Sequence, residues 1–256
     1  MYRALLSIVA GSLLGACRLD PGMALEAVAQ RPKFAPTTQT AGHGSLQSET
    51  GVVLDPGDSL SLPGIWRVGI SSQTEVYLGG DTYRWDEETD RQGTGDLLLG
   101  VRHRFVEEQD GRPALAFQAQ AKLPTSDASD GFGSGETDFH LALIGDQHLG
   151  EALASVFAEG GFLGQISGPG TAFEWTTAGS LQYPLGGRWA CYGEAVFDGS
   201  HELDRDGGYL GAGLHYRTGS HSLWDIAVAA GFGDSPEDVL LLVGYTRNVG
   251  AFYWKR

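Results

Sequence analysis

The feature that most constrains the fold of this chain is a strict alternation of apolar and polar residues over long runs. In "LAFQAQAKL" (115–123) the leucines and Phe117 share one parity, while Gln118, Gln120 and Lys122 occupy the other. The segments "TDFHLAL" (137–143) and "WDIAVAAGF" (224–232) repeat the pattern. Successive side chains of a β-strand point to opposite faces, so these runs predict strands with one apolar and one polar face.

The spacing of the runs distinguishes a membrane barrel from a soluble sandwich. Strands of soluble all-β domains recur about every 8 to 12 residues, whereas those predicted here recur about every 17. Each run lasts about 9 to 12 residues, close to the length that a tilted strand needs to cross a bilayer. We predict strands at 43–54, 60–70, 73–79, 94–105, 113–123, 136–145, 151–164, 172–184, 187–197, 208–217, 221–232 and 238–248.

The connections between these strands alternate in length. Long ones such as "GGDTYRWDEETDRQGTG" and "PTSDASDGFGSG" are followed by short ones such as "SSQ" and "PLGG". Outer-membrane barrels have this arrangement, with longer outer loops and short periplasmic turns. The sequence therefore predicts an all-β fold: an antiparallel up-and-down transmembrane β-barrel of the outer-membrane type, with about twelve strands over residues 43–248. Aromatic residues near the strand ends agree with two interfacial girdles.

The N-terminus has the pattern of an export signal. "MYR" precedes the apolar run "ALLSIVAGSLLGA", which is too short for a membrane helix. Leu14–Cys17 resembles a bacterial lipobox, so we expect a signal peptide over 1–17 with lipidation of Cys17; cleavage after "AVA" (27–29) is the alternative. Residues 18–42 are then expected to be a periplasmic N-terminal segment and 249–256 a C-terminal tail. Cys191 is the only other cysteine.

The charge of the chain limits its partners. A net charge of -15 and the absence of a Lys/Arg cluster argue against nucleic acid. The predicted outer loops are rich in acids, which would form a rim that attracts cations and repels small anions. The alternative is that these loops are solvated and bind divalent ions beside lipopolysaccharide. The expected partners are therefore outer-membrane lipid and lipopolysaccharide, together with a small solute.

The polar parity of the strands carries charges in mid-strand, and in a membrane barrel this parity faces the lumen. A small barrel can have its lumen filled by paired side chains, so a narrow or gated pore is as compatible with the pattern as an open one. The candidate lumen-lining residues are Arg67, Glu75, Asp96, Arg102, Arg104, Gln118, Gln120, Lys122, Asp138, His140, Glu174, Arg188, Glu194, Arg217 and Asp225.

The sequence does not contain a complete motif for metal binding, phosphate binding or catalysis. The loop after Leu123 lacks the alternating acids of an EF-hand and the Lys of a P-loop, so we predict no cofactor and no metal. A loose Ca²⁺ site at Asp127, Asp130 and Glu136 is the alternative there. An enzyme, for example a lipid hydrolase, would need His140 or His215 to converge with a serine such as Ser155 or Ser180. No spacing in the sequence indicates that convergence, and no catalytic residue is predicted.

The order of several short segments resembles one family of outer-membrane barrels, described as MetA-pathway-of-phenol-degradation proteins. These segments include "RPKFAP", "GSLQSETGV", "LPGIWRVGISSQTEVYLG", "GTGDLLLGVRHRFVEE", "LAFQAQAKLPTSD", "GSGETDFHLAL", "YLGAGLHYRT" and "LLVGYTR". They extend over about residues 30–248. This chain departs from the family pattern at Ser126, where the family has Gly, and it continues past the last predicted strand to Arg256.

The resemblance implies transport without naming a solute. Together with the barrel pattern it leads us to expect a passive channel for small solutes, including apolar or aromatic ones, in the outer membrane of a Gram-negative bacterium. An outer-membrane enzyme and a soluble β protein anchored through Cys17 remain as alternatives.

Overall fold

Fourteen β-strands make up most of the structure, a computed structural model that describes residues 17–20, 25–31, 33–127, 131–133, 135–164, 171–200, 205–235 and 237–254. The signal peptide up to residue 16, Asp130 and residues 255–256 of the tail lie outside the described residues. The strands are β1 (Cys17–Asp20), β2 (Ser45–Asp55), β3 (Ser59–Gly69), β4 (Thr74–Asp86), β5 (Arg91–Gly93), β6 (Leu97–Val106), β7 (Ala114–Leu123), β8 (Asp138–Leu149), β9 (Ala152–Gly164), β10 (Thr171–Gly186), β11 (Trp189–Ser200), β12 (Arg205–Gly219), β13 (Ser222–Gly233) and β14 (Val239–Trp254).

Twelve of these strands close into one antiparallel barrel. From β2 to β14 each strand pairs with its neighbour in sequence, apart from the small strand β5, which pairs only with β4. The ring closes because β14 pairs with β2, in a register that runs from Leu241 opposite Leu54 to Ala251 opposite Ser45. Closure leaves no strand edge in the membrane, where an unpaired backbone group would cost several kcal/mol. The predicted up-and-down barrel of about twelve strands is thereby confirmed.

Several strands are longer than the alternation predicted. Strand β4 continues to Asp86 and forms a hairpin with β5, so much of the expected long loop after residue 79 is ordered sheet. Strand β14 continues to Trp254, and its last residues pair with β1. The extension of β4 carries polar residues on both parities and that of β14 carries apolar or aromatic residues on both, so neither shows the alternation by which strands were predicted.

The two faces of the barrel wall differ sharply in polarity. On β8, Phe139, Leu141 and Leu143 are 59%, 66% and 63% exposed, whereas the intervening parity contains Asp138 at 3% and Ile144 at 1%. A water-soluble protein buries its large apolar side chains, so an exposed band of this kind requires lipid around the barrel. Among the described residues, no helix is long and apolar enough to span a bilayer.

Outward-facing aromatic pairs lie at both ends of the strands. Near the short turns, Trp189 contacts Tyr216 with ring centroids 4.6 Å apart, and Trp224 contacts Tyr245 at 4.7 Å. Towards the other end, Phe162 contacts Phe173 at 5.4 Å. Amphipathic aromatic rings favour the level of the lipid headgroups, so the pairs mark the two interfaces of the apolar band. We call the end with connections 87–96 and 124–137 the outer end and the opposite one the periplasmic end.

Candidate functional site in the barrel interior

The chain that precedes β2 lies inside the barrel. We define the inner segment as residues 25–31 and 33–42; Ala35 and Ala41 within it are 0% and 1% exposed. It enters at the periplasmic end, where the backbone N–H of Ala27 donates to Ser220 O at 3.1 Å. It returns to that end at Gly44, whose N–H donates to Gly69 O at 2.7 Å. The structure thus places these residues in the interior, whereas the sequence led us to expect a periplasmic segment.

Buried carboxylates from four different strands hold the inner segment by its backbone. Each accepts at least one hydrogen bond from a backbone N–H of the segment, at distances from 2.6 to 3.3 Å. Glu194 accepts two, from Phe34 at 2.9 Å and from Ala35 at 3.2 Å. The four carboxylates are those of Glu49 on β2, Glu75 on β4, Asp146 on β8 and Glu194 on β11. The acids of the interior therefore position a peptide chain.

Two buried arginines bind the carbonyl groups of the same segment. Arg67 Nη1 donates to Val28 O at 2.9 Å and to Glu49 Oε1 at 2.7 Å, and Arg67 Nη2 lies 2.7 Å from both oxygens of Glu75. Arg102 Nη1 donates to Thr37 O at 3.2 Å. Since the planar guanidinium offers five donors in a fixed geometry, one arginine can join two carboxylates and a backbone carbonyl at once.

Side chains of the inner segment also pack against the wall. The ring of Phe34 stacks on that of Tyr209 with centroids 5.3 Å apart and planes 4° from parallel. Lys33 Nζ donates to Gln182 Oε1 at 3.3 Å and lies 6.0 Å from the ring centroid of Tyr192. The segment therefore spans the interior from β2 to β10–β12.

Among the described residues, a cavity lies towards each end of the barrel interior. The outer cavity, of about 610 Å³, is lined by Arg31 of the inner segment together with residues of β3, β4, β6 and β7. The periplasmic cavity, of about 460 Å³, is lined by residues 26–29, Thr37 and Gln39 of the segment and by His215 on β12. Because the same segment borders both spaces, it stands between them along the barrel axis.

The outer cavity combines apolar side chains with paired charges. Ile65, Leu98 and Phe132 supply apolar surface. Phe132 belongs to the loop after β7 and is only 9% exposed, and the guanidinium carbon of Arg84 lies 5.3 Å from its ring centroid. The described part of this loop around Phe132 therefore folds inward over the cavity.

The acidic side chains at the outer cavity occur in ion pairs. Lys122 Nζ lies 3.3 Å from Asp96 Oδ2 and 2.6 Å from Asp138 Oδ2. Arg84 Nε lies 3.6 Å from Asp81 Oδ2. Pairing of this kind lowers the cost of excluding water from the charges, so that a solute of low polarity can occupy the space beside them.

The residues predicted from the polar parity fall into three positions. Arg67, Glu75, Arg102, Gln118 and Glu194 are buried around the inner segment, where Gln118 accepts from Arg102 Nη2 at 2.6 Å. Asp96, Gln120, Lys122, Asp138, His140 and Glu174 lie towards the outer end. Arg104, Arg188 and Arg217 lie at the periplasmic end, where Arg188 occupies the exposed turn between β10 and β11.

Asp225 differs from the other predicted residues because its carboxylate has no partner among the described residues. It is 3% exposed, and neither of its oxygens accepts a hydrogen bond. His215, its partner in the β12–β13 register, likewise has no hydrogen bond at Nε2. These groups face the interior and are available to water or to a polar solute.

The residues considered for catalysis do not form a hydrogen-bonded set, although Ser155 and Ser180 lie opposite each other in the β9–β10 register. His140 Nδ1 lies 3.3 Å from Glu159 Oε1 and 3.6 Å from Glu174 Oε1. The hydroxyls of Ser155 and Ser180 have no hydrogen-bond partner among the described residues. Across the same part of the chain, no group of three or more His, Cys, Asp and Glu is placed to hold a metal ion.

Glu49 and Asp146 were not among the predicted site residues. Glu49 shares the polar parity of β2 with Ser45 and Gln47, so the alternation could have identified it. Asp146 lies at the periplasmic end of β8, beyond the predicted strand end at 145. Its role depends on Thr38, whose N–H and hydroxyl both donate to Asp146 Oδ2, and no periodic pattern marks that contact.

Solved structures of low sequence identity share the barrel. The COG4313 outer membrane channel from Pseudomonas putida F1 superposes with a TM-score of 0.62 at 11% identity, covering 82% of this chain and 97% of that one. The NanC porin gives 0.58 at 9% identity (79% and 99% covered), and the KdgM porin gives 0.54 at 8% identity (79% and 98% covered). At such low sequence identities, the structural similarity shows that the fold is shared and shows nothing further. No curated protein matches this sequence.

The family assignment comes from the sequence itself. Residues 29–247, which include most of the inner segment and nearly the whole barrel, match the family model described as "Putative MetA-pathway of phenol degradation". The matched range agrees with the order of segments noted above, from "RPKFAP" to "LLVGYTR". The chain belongs to this family of outer-membrane β-barrels.

Proposed function

We propose that the protein is a passive outer-membrane channel for small solutes, including apolar and aromatic ones, and that its inner segment is the gate. The observation that carries the proposal is the pair of cavities inside one closed barrel, with the inner segment between them. The predicted polar residues line the conduit above, around and below that segment.

The contacts that hold the inner segment are of a kind that allows a gate to open. It contains no strand of its own, and side chains of the wall hold it in place of a hydrogen-bonded ladder. A hydrogen bond to a charged group contributes about 1.5–3 kcal/mol, so a few such bonds keep the segment in place without making its release impossible. The conformation described above is then the closed state of the channel.

The outer cavity indicates the class of solute. Its volume of about 610 Å³ is in the range of pockets that hold small organic molecules. Ile65, Leu98 and Phe132 offer contacts to an apolar or aromatic body, and the acidic side chains nearby are paired with cations. The name of the most similar barrel given above, an outer membrane channel, supports transport in general.

The outer surface of the barrel indicates which molecules surround the channel. The apolar band requires lipid, and the exposed acids of the outer loops, such as Glu87 and Glu88, can bind divalent cations that bridge to lipopolysaccharide. Lipidation of Cys17 would add a second attachment at the periplasmic side, next to the pairing of β1 with β14. Loss of palmitate incorporation in a Cys17→Ser variant would identify that modification.

An enzymatic function has less support. His140 contacts two glutamates, and the hydroxyls of Ser155 and Ser180 lack partners among the described residues. Lipid turnover measured in parallel with transport would decide the question, since alanine at His140 or His215 would abolish a hydrolase activity.

The experiment is conductance in planar bilayers, together with liposome swelling over a panel of solutes. Wild-type protein is compared with the Asp146→Ala/Glu194→Ala double variant, which loses two anchors of the inner segment. Asp138→Asn serves as control, because Asp138 binds Lys122 and the N–H of Gly164 and does not touch the segment. We expect brief openings in wild type and in the control, and long openings with faster solute entry in the double variant.

Two results would overturn the proposal. If folded wild-type and double-variant barrels both fail to conduct ions and to admit any solute, the protein is no channel. If both conduct equally, with the same open times, the channel exists but the inner segment is not its gate. Heat-modifiable gel mobility establishes that each variant is folded.

A further inference from the structure

Arg31 of the inner segment is a cation that no acidic side chain neutralises by contact. Its backbone N–H donates to Glu49 Oε2 at 3.3 Å, which holds the residue near β2. Its side-chain Nε is buried without an acceptor, and among the described residues no carboxylate forms an ion pair with its guanidinium. Arg67 and Arg102, in contrast, both lie close to Glu75, at 2.7 and 3.7 Å. The charge of Arg31 is therefore available to a bound anion.

A glycine of the barrel wall makes room for this guanidinium. A Cβ at Gly51 of β2 would lie 2.9 Å from Arg31 Nη2 and 3.2 Å from Arg31 Cζ, so a side chain there would force the guanidinium to move. The guanidinium thus lies against the bare backbone of Gly51, and Arg31 is one of the residues that line the outer cavity. A solute in that cavity can reach the guanidinium from the side that faces away from the wall.

The charges around the outer cavity are not all paired. Of the described residues that line it, three are cationic and two are acidic. Asp81 pairs with Arg84 at 3.6 Å. Asp96 pairs with Lys122 at 3.3 Å. Arg31 is the cation that remains, so an anion in the cavity would find a positive group whose charge no neighbouring acid already neutralises.

Asp225 lies on the wall close to Arg31 without pairing with it. The carboxylate of Asp225 lies over Gly244 of β14, where a Cβ would collide with it, and Gly244 is opposite Gly51 in the β14–β2 register. Adjacent strands are about 4.8 Å apart, so the carboxylate and the guanidinium are neighbours on the interior wall. Asp225 does not line the outer cavity, and neither of its oxygens accepts a hydrogen bond among the described residues. Its charge should therefore weaken anion binding at Arg31 without contact with the anion.

The rest of the outer cavity suits an apolar body. Ile65, Leu98 and Phe132 line it, and Phe132 covers it from the loop after β7. Its volume of about 610 Å³ is large enough for a molecule with one aromatic ring or a short aliphatic chain. The cavity thus combines apolar surface with a cation that has no acidic partner among the described residues.

We propose that the outer cavity binds small carboxylates with an apolar body, and that Arg31 holds the carboxylate group. The planar guanidinium presents parallel N–H donors that match the two oxygens of a carboxylate. The inference rests on the proposed function and deepens it, because it names the class of solute that the channel holds above its gate. Since Arg31 belongs to the inner segment, a solute bound in this way contacts the gate itself.

The acidic rim at the outer end does not prevent such binding. At physiological ionic strength, salt screens exposed charges beyond about 8 Å. A carboxylate that has reached the cavity therefore responds mainly to the charges that line it. The rim affects how fast an anion arrives, whereas the affinity measured at equilibrium reports on the cavity.

Binding is measured by equilibrium dialysis of radiolabelled benzoate against the purified full-length protein in detergent micelles, with protein-free micelles as the blank. Benzamide and acetate serve as unlabelled competitors, because benzamide keeps the ring without the charge and acetate keeps the charge without the ring. We expect unlabelled benzoate to displace the label roughly tenfold more effectively than either competitor, since only benzoate uses both the guanidinium and the apolar surface.

Three variants test the assignment of Arg31. Arg31→Gln should weaken benzoate binding by roughly tenfold or more, because the charge-assisted hydrogen bonds are lost. Asp225→Asn should strengthen binding several-fold, because it removes a negative charge beside the guanidinium. Arg104→Gln is the matched control and should bind as wild type does, since Arg104 lies at the periplasmic end, where its Nη2 donates to Ser72 O at 3.2 Å. Heat-modifiable gel mobility establishes that each variant is folded.

The proposal is wrong if folded wild-type protein binds no benzoate above the micelle blank, or if Arg31→Gln and Arg104→Gln bind it equally well. Displacement by benzamide as effective as that by benzoate would also overturn it, because the ring alone would then be recognised. A weaker affinity in Asp225→Asn would place the carboxylate away from Arg31. Failure of the proposed function would look different, since dialysis requires no transport: a protein that binds benzoate as expected but admits no solute would keep this site and would be no channel.

Discussion

The carboxylate of Glu194 on β11 accepts a hydrogen bond at 2.9 Å from the backbone N–H of Phe34, in the inner segment that crosses the barrel. The same oxygen, Oε2, accepts a second bond from the N–H of Ala35. Glu194 was predicted from the alternation of β11 to face the lumen, but its partner lies 160 positions earlier in the chain. A side chain of the barrel wall thus holds the backbone of the inner segment inside the barrel.

Replacing Glu194 with alanine should favour the open channel. The closed state would lose a charged acceptor and would keep two buried N–H groups without a partner. A hydrogen bond to a charged group is worth about 1.5–3 kcal/mol, so we expect the ratio of open to closed time to rise by roughly tenfold or more. Single-channel recording in planar bilayers measures this ratio directly.

Glu194→Gln is the matched comparison, because the amide retains one oxygen that can accept from Phe34 but carries no charge. Its open-to-closed ratio should fall between those of wild type and Glu194→Ala. If all three proteins gave the same ratio, Glu194 would have no part in holding the segment.

The buried cluster around Arg67 should determine the stability of the barrel. Arg67 is 2% exposed and lies 2.7 Å from both Glu49 and Glu75, which are themselves 1% and 0% exposed. Arg67→Met would leave the buried carboxylate of Glu49 without its cation and that of Glu75 with Arg102 alone, 3.7 Å away, and breaking a buried pair costs about 3–5 kcal/mol. We expect a loss of this size in the free energy of unfolding, measured by urea denaturation in lipid.

A triple variant separates charge from packing at this site. Combining Arg67→Met with Glu49→Gln and Glu75→Gln removes both carboxylates together with Arg67, while the shape of the cluster is largely kept and Arg102 retains its hydrogen bonds to Thr37 O and Gln118 Oε1. We expect it to regain most of the lost stability, since neutral replacement of a whole buried ionic group is often tolerated. A triple variant as unstable as Arg67→Met alone would show that packing of the arginine, and not its charge, is what matters.

The barrel could be predicted from the sequence because each membrane-spanning strand imposes an apolar–polar alternation with a period of two. This alternation can be recognised without knowing which residues are in contact. The interior position of Arg67, Glu75 and Arg102 follows directly from that parity. The inner segment has no such period, since wall side chains far away in sequence hold it through its backbone. Asp146 contacts Thr38 across 108 positions, and any residue with an N–H could stand in place of Thr38 for the backbone bond. The position of the inner segment inside the barrel was therefore not predictable from composition or spacing.

The outer acids should set the ion preference of the open channel. Glu87, Glu88 and Asp90 are exposed in the turn between β4 and β5. Converting them to Gln, Gln and Asn should lower the cation-to-anion permeability ratio, measured as a reversal potential across a KCl gradient in the Asp146→Ala/Glu194→Ala background. The effect should be large at 0.1 M salt and small near 1 M, because the Debye length falls from about 10 Å to about 3 Å.

The control for this prediction keeps the charge and changes the side chains. Glu87→Asp, Glu88→Asp and Asp90→Glu together should leave the reversal potential as in the parent protein. A shift in this variant as large as that of the neutral one would point to the shape of the loop as the cause, and the electrostatic explanation would be wrong.

A depth-dependent cost of charge should distinguish the lipid-facing surface from a water-exposed one. Leu143 and Leu149 both point outward from β8 and are 63% and 59% exposed, but Leu143 lies in mid-strand and Leu149 at the periplasmic end. Leu143→Arg should cost about 2–4 kcal/mol of unfolding free energy and Leu149→Arg about 0–1 kcal/mol. Urea denaturation of both variants in lipid vesicles measures the difference. In water an exposed leucine can become arginine at little cost at either position, so equal and small losses would contradict a membrane-spanning β8.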